Sequence, residues 1–190
     1  MKEYTVSGFF ANLCGFFFLI PVLLLYVVPY VLIWRDPGTG VTDGLLSCIS
    51  QNTELIRRAI DVFWLIIPII FAGIVLHELI HGIFMSAFAK GGRKSVSFGF
   101  NIKAVAPYAH CKEPLTPTAY RICLMMPAAL LGDLPVLIAW LSGNILFLFF
   151  GILFSWAAAG DFLILWMSRR IETGMLQDHP DKIGFIHISE

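Results

Sequence analysis

Between Gly8 and Trp34 the sequence carries no charged side chain. A helix needs about 20 such residues to cross a bilayer, so this run alone restricts the fold sharply. Comparable apolar stretches recur at about 60–89, 119–141 and 145–167. Composition agrees: 58% of residues are hydrophobic and 14% charged, with a mean hydropathy of +0.80. Soluble domains average about 45–50% apolar and about 25% charged. The expected fold is an all-α polytopic membrane protein with four transmembrane helices, forming a single membrane domain over 1–190. The first span is too long for a signal-peptide core and is expected to stay as an anchor.

The formal net charge is zero. No basic stripe or interleaving of aromatic and basic residues marks a nucleic-acid surface. Cys14, Cys48, Cys111 and Cys123 are scattered, without a C-x-x-C pair. They form neither a disulfide framework nor a cysteine zinc site.

The second span carries His77-Glu78-Leu79-Ile80-His81. Two histidines four apart on a helix project from one face and can grip one metal ion. The glutamate between them is free to act on water that such an ion activates. Polar side chains are costly in hydrocarbon, so three within five residues need a reason. Gly82 follows directly and lets another element approach closely.

Beyond this span Gly91-Gly92 ends the helix. Ser95–Lys103 alternates with period two, a strand signal. Ala104–His110 reads as the returning strand, with Pro107 restricting it to an edge. A short β-hairpin or extended segment is therefore expected at 95–110, between the second and third spans. Residues 1–7 read as a polar lead, 35–58 as a turn-rich loop that opens with a turn at Arg35–Gly40 and in which Asp43 and Thr53 could each cap a short helix, and 171–190 as a polar tail.

Orientation follows from basic residues in the loops. With the N-terminus inside, Lys2, Lys90, Arg93, Lys94, Lys103, Lys112, Arg121, Arg169, Arg170 and Lys182 lie inside; Arg35, Arg57 and Arg58 lie outside. This bias places both termini in the cytosol, with the spans in the cell membrane.

A catalytic zinc needs about three protein ligands and an open position. Candidates for the third are Asp133, Asp161, His110, His179 and His187, and depth separates the two carboxylates in spans. His77 lies about 23 Å down its helix from Val62, and Asp161 about 24 Å down from Ile145 in a parallel span. Asp133 is only about 12 Å below the outer face. Asp161 therefore shares a layer with the histidines. The expected metal ligands are His77, His81 and Asp161, with Zn²⁺ as cofactor and Glu78 as the catalytic base. Asp133 reads instead as a packing or water-cavity residue, His110 as a loop histidine and His179 as part of a tail turn.

Three segments together resemble the bacterial "putative zincin peptidase" family of small four-span membrane proteins. They are His77–Gly82 in a membrane helix, Ala159-Gly160-Asp161 in the last span, and the tail Asp178-His179-Pro180-Asp181-Lys182-Ile183-Gly184-Phe185. More distantly the layout is similar to the site-2-type intramembrane metalloproteases. Their core carries the histidine motif on its first helix, the aspartate ligand on its third, and an extended hairpin between the first two. Here the glycine precedes the aspartate, as Gly160-Asp161.

The resemblance implies a membrane-embedded zinc metalloprotease acting on a membrane-protein or peptide substrate within the lipid bilayer. A non-proteolytic zinc-binding scaffold or regulator is the alternative. A small transporter using His77, Glu78 and Asp161 as a polar pathway is a third reading, weakened by the lack of inverted-repeat symmetry. The sequence leaves the substrate and the oligomeric state open.

Overall fold

The computed structural model describes residues 1–35, 40–61, 63–101, 106–180 and 182–189. The expected Arg35–Gly40 turn, the start of the second span at Val62, the Lys103–Ala104 hairpin junction and Asp181 fall wholly or partly outside these residues.

Helices dominate. Helix α1 spans Gly8–Trp34, α2 Val41–Gln51, α3 Thr53–Asp61 and α4 Phe63–Phe88. Helix α5 (Pro117–Pro127) continues through a π-helical turn, Ala128–Asp133, into α6 (Leu134–Ser142). Helices α7 (Ile145–Ala157) and α8 (Ala159–Ser168) follow. Among the described residues three stretches, Gly8–Trp34, Ile67–Phe88 and Pro117–Ser142, are long and apolar enough to cross a membrane; α7 and α8 make a fourth if taken together. Large apolar side chains such as Phe9, Leu24, Phe71 and Phe149 are exposed on them. Such surfaces suit lipid rather than water and are compatible with a multi-pass membrane protein.

The fourth apolar run is not one unbroken helix. It is interrupted at Ala158, and a new helix begins when the Phe162 N–H donates to the Ala158 carbonyl at 3.1 Å. The break sets Asp161 in the first turn of α8, where a helix dipole favours negative charge.

The chain forms two compact units. The first comprises Met1–Phe16, Ile74–Pro127 and Ala158–Glu190. Two small sheets belong to it. Strands β2 (Val96–Asn101) and β3 (Ala106–Cys111) pair antiparallel, with Phe98 opposite Ala109. The Lys112 N–H donates to Ser95 O across this ladder. Backbone amides alternate in direction along a strand, so those of Ala109 and Cys111 point away from β2. Pro107 falls in the same outward series and costs the ladder no hydrogen bond.

The second sheet was not foreseen. Strand β1 (Lys2–Val6), from the supposed polar lead, pairs with β5 (Ile183–Ile188); β5 also pairs with β4 (Met175–Asp178), giving the order β1-β5-β4. Gly184, at φ +141°, lets β1 approach closely: a Cβ there would stand 2.0 Å from the Tyr4 carbonyl oxygen. Phe185 stacks on Tyr4 at 5.2 Å and meets Tyr120 of α5 edge-on at 5.9 Å. Its full burial contributes about 1.5–3 kcal/mol. With Met85, Cys111, Leu115, Cys123 and Leu176 it forms the core of this unit.

The second unit comprises Phe17–Gly73 and Ala128–Ala157. Its core holds Tyr26, Tyr30, Val31, Val136, Ala139 and Leu148. Thr53, expected as a helix cap, instead donates its hydroxyl to Ile49 O at 3.2 Å. Asp43 lies within the first turn of α2 rather than at its cap, Gly40.

Candidate metal centre

Helix α4 carries His77 and His81 one turn apart, so both imidazoles leave the same face. Their rings meet edge-on, with centroids 4.9 Å apart. Helix α8 brings Asp161 to them. His77 Nε2 stands 3.1 Å from Asp161 Oδ2, His81 Nε2 3.3 Å from Asp161 Oδ1, and the two Nε2 atoms are 3.2 Å apart. Two donors each about 2.0–2.1 Å from one tetrahedral zinc ion stand about 3.3–3.4 Å apart. Each histidine faces a different Asp161 oxygen, and with one donor atom taken from each residue all three lie within 4.8 Å of one another, close enough to converge on one ion.

The donor chemistry points the same way. His81 Nδ1 lies 2.9 Å from the Cys123 carbonyl oxygen. A carbonyl only accepts, so Nδ1 carries the proton and a neutral ring keeps its lone pair on Nε2. That lone pair faces Asp161 Oδ1, another acceptor. A cation between them, a proton or a metal ion, resolves the conflict. Both histidines are buried, at 9% and 5% exposure, and hold little water of their own.

Glu78 is turned to a different partner. Its Oε2 accepts the Ala109 N–H at 2.8 Å. The outward edge of β3 is thus occupied by a carboxylate from the histidine helix. Two residues on, the Cys111 N–H donates to Asp178 Oδ2 at 3.3 Å, and Tyr120 Oη donates to Asp178 Oδ1 at 2.8 Å. Gly82 is where β2 reaches the helix: a Cβ there would lie 2.1 Å from the ring of Phe98.

The other candidates lie elsewhere. His110 Nδ1 is 3.8 Å from Asp178 Oδ2. His179 Nε2 is 3.4 Å from Glu3, and its Nδ1 accepts the Lys182 N–H at 3.0 Å. His187 Nε2 meets the Thr173 carbonyl at 3.0 Å. Asp133 belongs to the second unit, where Tyr26 donates to it. Arg121 does not pair with Asp161; it donates to the carbonyls of Ser168 and Ile171 at the end of α8.

Three contributors escaped sequence reasoning. The Cys123 carbonyl and the Ala109 N–H are backbone groups, which no side-chain pattern identifies. Asp178 lay in a stretch read as a tail, though it stands in the tail segment that carries the family resemblance.

Neither the curated proteins nor the solved structures include a match to this chain. A family profile described as "putative zincin peptidase" matches residues 70–176, which contain His77, Glu78, His81 and Asp161. Zinc is the cofactor that the family implies, and the donor set fits it. With more than half of its length matched, the chain belongs to the putative zincin peptidase family.

Proposed function

We propose that this protein is a membrane-embedded zinc metalloprotease that cleaves membrane-spanning or peptide substrates. The observation that carries the reading is the convergence of His77, His81 and Asp161: each histidine Nε2 lies 3.1 or 3.3 Å from one of the two Asp161 oxygens, and one donor atom from each residue falls within 4.8 Å of the others. Bound there, zinc supplies a Lewis acid that lowers the pKa of water and polarises a carbonyl. Asp161 offsets part of the ion's charge, and the Cys123 carbonyl fixes the His81 tautomer. Glu78 takes the proton from the attacking water and passes it to the leaving amine.

A helical peptide bond is shielded by its own hydrogen bonds, so the substrate must be extended. In β2 the backbone groups of Val96, Phe98 and Phe100 point away from β3, leaving an edge to which an extended segment can pair. Phe98, packed over Gly82, ties that edge to the turn following His81. Four spans with both termini in the cytosol, in the cell membrane, complete the proposal; the excess of basic residues in the inside segments supports that orientation.

The test compares purified full-length wild type with Glu78→Gln in proteoliposomes holding a pool of single-span peptides, read by mass spectrometry. The proposal expects equal zinc content and cleavage by the wild type alone. Equal cleavage by both proteins would contradict the role of Glu78. Zinc in both with no cleavage by either would favour the non-proteolytic scaffold.

A further inference from the structure

Asp133 is a carboxylate in an apolar helical stretch, Pro117–Ser142, and stands outside the metal-binding donor set. It ends the π-helical turn Ala128–Asp133. Such turns widen a helix locally and recur at functional sites. Beside it opens a cleft of about 520 Å³, walled by Leu25, Leu130, Leu134, Leu137 and Trp140. Asp133 is the one carboxylate in that wall.

The surroundings hold this carboxylate as an acceptor. Tyr26 Oη donates to Asp133 Oδ1. That spends the only tyrosine proton, so Ser155 Oγ, 2.9 Å from Tyr26 Oη, is the donor of the next bond. Gly132 makes the room: a Cβ there would lie 2.0 Å from Ser155 Oγ. Two hydroxyls in series thus direct their protons toward Asp133, the arrangement that strengthens a charged acceptor. Its second oxygen, Oδ2, has no protein partner among the described residues. An ionisable group left in this state in a membrane span calls for a partner.

Among the described residues no lysine or arginine pairs with Asp133. In α1, Ile67–Phe88, Pro117–Ser142, α7 and α8 the only lysine or arginine is Arg121. Its guanidinium is engaged by the carbonyls of Ser168 and Ile171. A second copy would bring the same spans and the same lack.

We propose that the Asp133 cleft docks a membrane-spanning segment of another protein that carries a lysine or arginine at this depth. The leucine and tryptophan walls take the apolar body of the helix, and Asp133 Oδ2 takes the cation. Polar contacts between membrane helices are modest, so the expected preference is about tenfold.

The test uses full-length protein in phosphatidylcholine vesicles and synthetic leucine-rich single-span helices labelled for energy transfer. One helix has leucine throughout; the others carry one lysine, moved along the helix by one turn at a time. Wild type should bind one lysine register about tenfold more tightly than the all-leucine helix. Asp133→Asn should abolish that preference while keeping wild-type zinc content, which reports its fold. Equal binding of all helices by the wild type, or an undiminished preference in Asp133→Asn, would overturn the proposal. Should Asp133→Asn lose its zinc, Leu137→Trp decides: filling the cleft should weaken binding of the lysine helix, and unchanged binding would overturn the proposal. None of these readouts depends on peptide cleavage.

Discussion

Glu78 and Ala109 are joined by a 2.8 Å hydrogen bond in which a strand amide donates to the carboxylate of the histidine helix. The bond spans 31 residues of sequence and fixes where the carboxylate rests. It also occupies one of the two β3 amides that point away from β2, the other being spent on Asp178.

Ala109→Pro removes this donor alone. The Ala109 amide takes no part in the β2–β3 ladder, and Pro107 already stands two residues earlier in the same series. The variant should keep its zinc and its sheet. If Glu78 is the base, loss of its positioning contact should lower kcat about 10–100-fold, with KM little changed. Unchanged kcat would mean that Ala109 does not position the base.

Two glycines on α4 should respond unequally to the same methyl group. At Gly73 a Cβ would stand 2.0 Å from Phe154, which is 1% exposed and has nowhere to move. At Gly82 it would stand 2.1 Å from Phe98, whose ring is 55% exposed and can swing aside. Gly73→Ala should destabilise by about 1–3 kcal/mol, the usual range for overpacking. Gly82→Ala should cost clearly less, and Phe98→Ala should relieve it. Thermal unfolding in detergent, with the double mutant as the coupling check, measures both.

Asp178 should give the protein a pH-dependent weakness. Burial holds its carboxyl above the ordinary range, although the Tyr120 hydroxyl and the Cys111 amide act against this. The folded state therefore binds the proton more tightly than the unfolded chain, whose value is about 3.9. Below that value both states are protonated and the burial carries no ionisation cost. As pH rises through the folded value, stability falls. Asp178→Asn loses one acceptor at every pH but has no charge to bury. Its stability relative to wild type should rise from pH 4 toward pH 7; parallel curves would contradict the raised carboxyl.

Much of this architecture could be read in advance because it is written in local patterns. The uncharged run Gly8–Trp34 coincides with α1, and the alternation after Ser95 with β2. Counting helix rise drew attention to Asp161 rather than Asp133, and the structure brings Asp161 to the histidines. The β1-β5-β4 sheet was illegible for a physical reason. Its strands have five, six and four residues, and Lys2 pairs with His187 at the far end of the chain. Neither segment announces its partner. The break at Ala158 was equally silent, since an alanine-rich step is as compatible with a continuous helix as with a new start.

If the proposed site is right, His77, His81 and Asp161 hold one zinc ion. The direct measurement is the zinc content of purified full-length protein, wild type beside Asp161→Asn, after equilibration with zinc and desalting. About one zinc per chain is expected in the wild type, with a loss of at least tenfold in affinity on removing the carboxylate charge. A wild type that emerges without zinc, or an Asp161→Asn protein that binds it as tightly, would contradict the proposed site.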